Sequence, residues 1–388
     1  MAQARKASKV NKKINMFLYG EPFTGKTTLG MQLAKLHDEN GKPMRVLVLD
    51  SEAGGCEFSI EELESEGVNL ENIYVVYTQS LEEVTNYIKL VTENKDIYEL
   101  DEDGNETDQI VLDADGQPFR AGALLVDGTS VLKMACQQSL LNLSRKRARV
   151  RATKQGVTGE EKAVAIDGAG LEYKDYNTLN FSGQQLILNL AASGVHWIAT
   201  AREKKETKSV HVNGSIQSVE TGRLIADGFK GAEYNSDTLV RLYRDEDDPD
   251  TVKAYVIKDR SKTWAVGQIV ENPDLSDFQK MIDKRTGNDV VVKNSMDEAV
   301  EIEMKMYQKQ AGIVDEDEPA AANDSQPSVD TETIRKQIKA NHAKMNPDQR
   351  KSFTTKLKSE NIPTSLSKIE DASTLNRMLE ISNSILEE

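Results

Sequence analysis

The fold is decided by residues 14–38, which read INMFLYGEPFTGKTTLGMQLAKLHD. The segment begins as a short apolar strand from Ile14 to about Gly20, and from Thr27 onward its apolar residues recur at helical spacing. Between strand and helix, the stretch GEPFTGKT at 20–27 fits the pattern G-x-x-x-x-G-K-[ST] at every fixed position. A glycine loop that follows a strand and opens a helix is the structural context in which this pattern binds phosphate.

The chemistry of this loop predicts a site for ATP and Mg²⁺. Glycines let the backbone turn successive N–H groups toward phosphate oxygens, and the following helix directs its positive dipole at them. We expect Lys26 to contact the β- and γ-phosphates and the Thr27 hydroxyl to ligate magnesium. The predicted nucleotide-binding residues are Gly20, Glu21, Pro22, Phe23, Thr24, Gly25, Lys26, Thr27 and Thr28.

Further apolar segments alternate with helical ones and predict an α/β fold. Strands are expected at 45–50, 73–77, 123–127 and 196–201, with a helix over 81–91. Because each strand is apolar on both faces, the pattern indicates a mostly parallel sheet between helices.

A second magnesium ligand is expected at the end of one of these strands. The segment Leu124-Leu-Val-Asp127 ends an apolar run in a carboxylate, as a P-loop site requires. The alternative is that Asp127 is only a turn residue before Gly128.

Composition restricts where the protein can work and what it can bind. The chain has 388 residues, 38% of them hydrophobic, two cysteines, and no run of eighteen apolar residues. These features predict a cytoplasmic protein without a membrane span. The net charge of −15 means that any nucleic-acid contact must come from local basic patches.

Composition shifts also predict the domain organisation. We expect an ATPase domain over 14–290, interrupted by an acidic insert at 94–120, and then a helix within 291–312. The flanking segments are a basic arm at 1–13, an acidic disordered linker at 313–330, and a small C-terminal all-α domain of three helices at 331–388.

Several motifs around the loop resemble the RecA/RadA superfamily of P-loop ATPases over residues 14–270. They are VLVLDSE at 46–52, HWIATAR at 196–202 and VKAYVIKDR at 252–260. Within the superfamily the chain looks most like phage-encoded RecA-like ATPases of the single-strand annealing and recombination class. The resemblance implies a RecA-like core that hydrolyses ATP.

The resemblance also implies roles for individual residues. It makes Glu52 the group that activates the attacking water, and Thr200 the polar tip of the sensor strand, where RecA itself has a glutamine. It further implies that Lys258 and Arg260, one residue apart on a strand, reach a neighbouring subunit's nucleotide. Hydrolysis would then require an oligomer, either a ring or a filament. The alternatives are an ordinary loop glutamate and a solvated pair on an edge strand.

Two segments are candidates for binding single-stranded DNA, both at positions where the family carries DNA-binding loops. The first is the run 144–154, which has six positive residues and no acid and is expected to follow the helix after Asp127. The second is a hairpin at 203–222, which turns at Asn213-Gly214. A solvated charged face and a plain surface hairpin are the alternatives. The predicted DNA contacts are Arg145, Lys146, Arg147, Arg149, Arg151, Lys154, Lys204, Lys205 and Lys208.

The leading hypothesis is therefore a DNA-stimulated ATPase that acts on single-stranded DNA in phage recombination, annealing or replication. Its C-terminal helices are expected to recruit a partner such as a single-strand-binding protein. A ring helicase or helicase loader is an alternative, as is a nucleotide-switched scaffold with little hydrolysis. A small-molecule kinase is disfavoured by the basic run and by the absence of a recognisable lid segment.

Overall fold

The computed structural model describes residues 13–101, 106–212, 215–284, 296–311, 331–360, 362 and 372–387. The chain divides into two compact units, residues 1–308 and 309–388. The predicted basic arm at 1–13 lies almost wholly outside the described residues, and the predicted linker at 313–330 lies entirely outside them.

The first unit is built on one mixed sheet, which confirms the predicted α/β class. Six neighbouring strands run parallel in the order β3-β2-β6-β7-β1-β9, and β10 and β11 continue the sheet antiparallel beyond β9. The strands are β1 (Asn15–Gly20), β2 (Val46–Asp50), β3 (Ile73–Tyr77), β6 (Ala123–Asp127), β7 (His196–Val212), β9 (Thr238–Asp245), β10 (Asp248–Asp259) and β11 (Ile269–Glu271).

Helices cover both faces of this sheet. Alternate residues of the central strands enter opposite cores: Met16 and Leu18 pack with the helices of one face, while Phe17 and Tyr19 pack with those of the other. The first face carries α1 (Lys26–Met31), its 3₁₀ extension Gln32–Lys35, α2 (Glu57–Ser65) and α8 (Gln279–Asp283). The second carries α3 (Leu81–Glu93), α4 (Thr129–Lys154) and α6 (Tyr173–Ala192).

Helix α4 differs most from the sequence expectation. Its 26 residues extend about 39 Å, far beyond the five-residue strand β6 that precedes it. Its second half packs against α5 (Gly159–Asp167) and the start of α6. The basic run 144–154 is therefore the end of a continuous helix, and the prediction that it forms a loop after that helix was wrong.

Two hairpins project from the core. Strand β7 continues well past the sheet and pairs antiparallel with β8 (Ser215–Ala226), forming the ribbon 203–226. This confirms the predicted hairpin, although the turn at Asn213-Gly214 lies outside the described residues. The acidic insert holds a second hairpin, β4 (Tyr98–Leu100) with β5 (Glu106–Ile110).

The described part of the second unit is helical. Its helices α10 (Thr331–Lys344), α11 (Pro347–Ser359) and α12 (Ala372–Glu387) share a core of buried aliphatic residues, Phe353 and two methionines. Before it, α9 (Met296–Ala311) matches the predicted helix within 291–312. Within the described ranges no helix is both long enough and apolar enough to cross a membrane.

Candidate nucleotide site

The carboxyl ends of the central parallel strands place the predicted site residues at one edge of the sheet. Strands β2, β6, β7 and β1 are consecutive neighbours, and the register pairs Asp50 with Asp127 and Leu18 with Thr200. Gly20 ends β1 at the same edge and begins the glycine loop. Parallel α/β sheets commonly bind ligands in such a crevice at the carboxyl ends of the strands.

The loop from Gly20 to Thr27 has the backbone that its glycines predict. A Cβ at Gly20 would lie 2.0 Å from the carbonyl oxygen of Leu242, and Gly25 has a φ of 75° at the entry to α1. Phe23 also has a positive φ of 60°, and its side chain is 95% exposed. Arg244 holds this strained residue in place by donating from Nε to the Phe23 carbonyl oxygen at 3.1 Å.

The other loop residues are positioned by short hydrogen bonds. Buried Thr24 donates from its hydroxyl to the Glu21 carbonyl oxygen at 2.8 Å, and the Lys26 ammonium donates to the same oxygen at 2.6 Å. Burial lowers the pKa of Lys26, while the charges of Glu52 and Asp127 oppose this shift. Glu21 and Pro22 are exposed, and Thr28 lies within 3.3 Å of the Ser59 hydroxyl.

Asp127 is the centre of the site. It is only 2% exposed, its Oδ2 accepts a hydrogen bond from the Thr27 hydroxyl at 2.7 Å, and its Oδ1 accepts one from Thr200 at 2.5 Å. Burial raises the pKa of Asp127, and the hydrogen bonds from Thr200 and Thr27 partly offset this shift. A loop hydroxyl and a strand-end carboxylate thus meet as the sequence predicted.

Thr200 connects Asp127 to the rest of strand β7. Its hydroxyl accepts a hydrogen bond from the Gly128 amide at 2.8 Å while it donates to Asp127. Its carbonyl oxygen accepts from the Thr129 hydroxyl at 2.7 Å. One side chain therefore ties the end of β6 and the start of α4 to the strand that continues into the ribbon.

Glu52 lies beside this centre and is held by an arginine. Its backbone amide donates to Asp50 Oδ1 at 2.8 Å, and its Oε1 accepts from Arg202 Nε at 3.0 Å. The Arg202 backbone amide in turn donates to the Ser130 hydroxyl at 2.8 Å. The carboxylate expected to activate water is therefore already paired with the strand that forms the ribbon.

These groups fit a magnesium–triphosphate ligand. The loop amides, Lys26 and the start of α1 suit phosphate oxygens, and the oxygens of Thr27 and Asp127 are the donors that magnesium prefers. Among the described residues no cluster of three or more His, Cys, Asp and Glu could hold a metal. A usual magnesium site takes only one or two protein oxygens and completes its coordination with substrate phosphates and water.

Lys258 and Arg260 lie at the opposite edge of the sheet. Arg260 is one residue past the end of β10 and pairs with Asp237 at 3.2 Å, and Asp237 also binds Asn15, the first residue of β1. The glycine loop begins at the other end of β1, five residues or about 17 Å away. These side chains therefore cannot serve their own loop, and a role in hydrolysis requires another copy.

Lys258 is engaged within its own chain. Its ammonium donates to the carbonyl oxygens of Glu233, Tyr234 and Ser236, at the end of the one-turn helix α7 (Ala232–Asn235). A β-bulge between Val256 and Lys258 shifts the register of β10 with β9 just before Lys258, and Arg260 lies one residue past the end of the strand.

The predicted DNA contacts fall into two groups. Several are committed to ion pairs: Arg147 with Asp175, Arg151 with Glu172, Lys204 with Asp227 and Lys205 with Glu220. Lys146, Arg149, Lys154 and Lys208 are exposed and have no ion-pair partner among the described residues, and Arg145 is half-buried. The exposed cations of the second group, rather than the whole run, are therefore the ones accessible to a ligand.

Two features of the site could not be found from the sequence. Arg202 ends a quoted motif, but its pairing with Glu52 joins residues 150 positions apart. Lys133 and Lys204 share one oxygen of Asp227, at 2.8 and 2.9 Å, below the ribbon.

Comparison with known proteins adds no family to this geometry. No family model matches the chain, and no curated protein matches it.

Proposed function

We propose that the chain is a RecA-like P-loop ATPase that acts on single-stranded DNA, with Mg²⁺ as its metal and a small all-α domain at its C-terminus. The observation that carries the proposal is the contact of the Thr27 hydroxyl with the Asp127 carboxylate at 2.7 Å. Thr200 joins this same carboxylate to the strand that extends into the ribbon.

Each residue has a task in this proposal. The glycine loop and Lys26 bind the phosphates, and Thr27 and Asp127 hold magnesium, which neutralises charge on the transferred phosphoryl group. Glu52 accepts the proton of the attacking water once Arg202 releases its carboxylate. Lys258 and Arg260 act only on a neighbouring copy, in a ring or filament, and Lys258 must first leave the carbonyls of α7.

DNA binding is assigned to the ribbon and to the end of α4. The exposed cations Lys146, Arg149, Lys154 and Lys208 suit phosphates of a single strand, with binding that weakens as salt rises. Because β7 runs without interruption from Thr200 into the ribbon, a strand bound there can displace groups at the nucleotide site. The helices α10, α11 and α12 are assigned to a partner such as a single-strand-binding protein.

A second candidate function is a nucleotide-switched scaffold with little hydrolysis. The ion pair between Arg202 and Glu52 favours it, because a carboxylate that is bonded to Arg202 is not free to orient the attacking water. In that case nucleotide binding alone would reorganise the ribbon, and hydrolysis would serve only to reset it.

The experiment that tests the proposal is ATP hydrolysis with and without single-stranded DNA, at low and high salt, for the full chain and for Lys26→Ala. Salt-sensitive stimulation that Lys26→Ala abolishes would support the DNA-coupled ATPase. Hydrolysis that ignores DNA would refute the coupling.

The variant Arg202→Ala separates the two candidates. For an ATPase gated by DNA, we expect basal hydrolysis to rise and DNA stimulation to shrink, because Glu52 is freed without DNA. For a switch, the unaltered chain hydrolyses little with or without DNA although ATP still binds, and only Arg202→Ala raises hydrolysis.

A further inference from the structure

A cavity of about 510 Å³ opens at the base of the ribbon. It lies between the start of α4, helix α6, the end of β8 and the segment 228–234. We call it the ribbon-base cavity. Its volume falls in the range of roughly 300–1,000 Å³ that is typical of small-ligand sites.

The wall of the ribbon-base cavity is held firmly. Phe229 is buried against Gly183 of α6, so closely that a Cβ on that glycine would lie 2.2 Å from the phenylalanine ring. Gly231 follows with a φ of +97°, a conformation that favours glycine. The Lys258 ammonium fixes the turn that carries Tyr234 by binding its carbonyl oxygen at 3.1 Å.

Two tyrosines of the lining present aromatic surface to solvent. Tyr176 on α6 is 50% exposed and Tyr234 on α7 is 79% exposed. Exposing aromatic side chains to water is unfavourable. Such side chains provide the stacking surfaces on which proteins bind unpaired bases. Both rings stand on backbone that the contacts above hold in place.

The charges of the lining suit an anion. Arg223 and Lys230 are exposed and have no ion-pair partner in the described part of the chain. Lys133 and Lys204 also line the cavity, and both donate to Asp227 Oδ1. With Asp227 counted beside the lining, four cations face three carboxylates, those of Glu206, Asp227 and Glu233, so the positive excess rests on Arg223 and Lys230.

We propose that the ribbon-base cavity receives one nucleotide of a single-stranded nucleic acid, with its base stacked on Tyr176 or Tyr234 and its phosphate at Arg223 and Lys230. The inference rests on the proposed function and adds a built base-binding site to it. Aromatic surface together with free cations distinguishes this ligand from an acidic peptide, which would need the cations alone.

The ribbon-base cavity also has a physical connection to the nucleotide site. Gly228 in its lining packs against Thr129, so closely that a Cβ on this glycine would lie 3.1 Å from the threonine hydroxyl. That hydroxyl donates to the carbonyl oxygen of Thr200. A base that moves the cavity wall would therefore press on the strand that holds Asp127.

The test measures binding of a fluorescein-labelled oligothymidylate of about 20 nucleotides to the full chain by fluorescence anisotropy. We expect whichever of Tyr176→Ala and Tyr234→Ala removes the stacking ring to weaken binding about tenfold, since stacking is worth about 1–3 kcal/mol per base. The matched control is Tyr255→Ala, which removes a partly exposed tyrosine on β10 outside the cavity. Tyr176→Trp keeps a stacking surface and is expected to retain affinity.

The role of the cations is tested by a separate measurement. Lys230→Ala is expected to weaken binding and to reduce the slope of log affinity against log salt by about 1, whereas the tyrosine variants leave that slope unchanged. Thymidine monophosphate is titrated as a competitor and is expected to compete only weakly.

Three outcomes would overturn the inference. Tyrosine variants that bind as tightly as Tyr255→Ala would show that the cavity takes no base, while the DNA-binding ATPase would stand. Competition by thymidine monophosphate as strong as that by the oligomer would assign the cavity to a free nucleotide. Failure of the unaltered chain to bind the oligomer at low salt would refute both this inference and the proposed function.

Discussion

Removing the Thr200 hydroxyl is the sharpest test of how the nucleotide site is held together. Thr200→Val leaves the Gly128 amide without its acceptor, at about 1–3 kcal/mol for an unsatisfied buried donor. It also removes a hydrogen bond to the Asp127 carboxylate, worth about 1.5–3 kcal/mol if the carboxylate stays ionised. Because burial already raises the pKa of Asp127, proton uptake can relieve part of the second loss. We therefore expect a loss of about 2–4 kcal/mol in the free energy of unfolding.

Urea denaturation followed by tryptophan fluorescence measures this loss. The chain has two tryptophans, Trp197 and Trp264, both buried in the first unit, so the signal reports that unit alone. The control is Thr200→Ser, which keeps the hydroxyl and loses one methyl group, at about 1 kcal/mol. If Thr200→Val is no less stable than Thr200→Ser, the hydroxyl does not bind the site together and the reasoning is wrong.

Four further substitutions test other contacts. Lys258→Ala should lower the free energy of unfolding by about 1–3 kcal/mol, because three carbonyls lose a charged donor. Arg260→Ala should lower the free energy of unfolding by less than about 1 kcal/mol, because the Arg260–Asp237 pair is exposed. Equal losses for the two variants in urea denaturation would contradict these assignments. Asp127→Asn should be more stable than the unaltered chain at neutral pH. Because the pKa of Asp127 is raised in the folded protein, the ionised carboxylate is destabilising. The free energy of unfolding of the unaltered chain therefore falls as pH rises through the folded pKa. The difference in the free energy of unfolding between Asp127→Asn and the unaltered chain should narrow in acid. A difference that is independent of pH would argue against a buried charge. Gly183→Ala should destabilise the first unit by about 1–2 kcal/mol by overpacking against Phe229, and a more stable variant would mean that the ring moves freely.

The geometry of the candidate site could be largely predicted because its information is local. The loop pattern lies on consecutive residues, and Asp127 ends an apolar run whose direction follows from the parallel sheet. Strands β2, β3 and β6 were predicted to within one residue for the same reason. Strand β9 was not predicted because its sequence, TLVRLYRD, has arginines within a short apolar run.

The basic run shows where local information misleads. The position at which the resembled family carries a DNA-binding loop suggested a loop, yet the run contains no glycine or proline, and Ala148 and Ala152 fall four apart on the buried side of a helix. Its arginines then reach Glu172 and Asp175 beyond the intervening helix α5. The ribbon-base cavity could not be predicted because Tyr176 and Tyr234 line it from segments far apart in sequence.

The strand order has a consequence for synthesis of the chain. Strand β1 pairs only with β7 and β9, whose sheet residues begin more than 180 positions later. At about 5–20 residues per second, its apolar residues must wait roughly 10–45 s for the ribosome to supply both neighbours. During that interval Met16, Phe17 and Leu18 have no sheet to enter. The strand before the glycine loop thus stays without its neighbours until both have been synthesised.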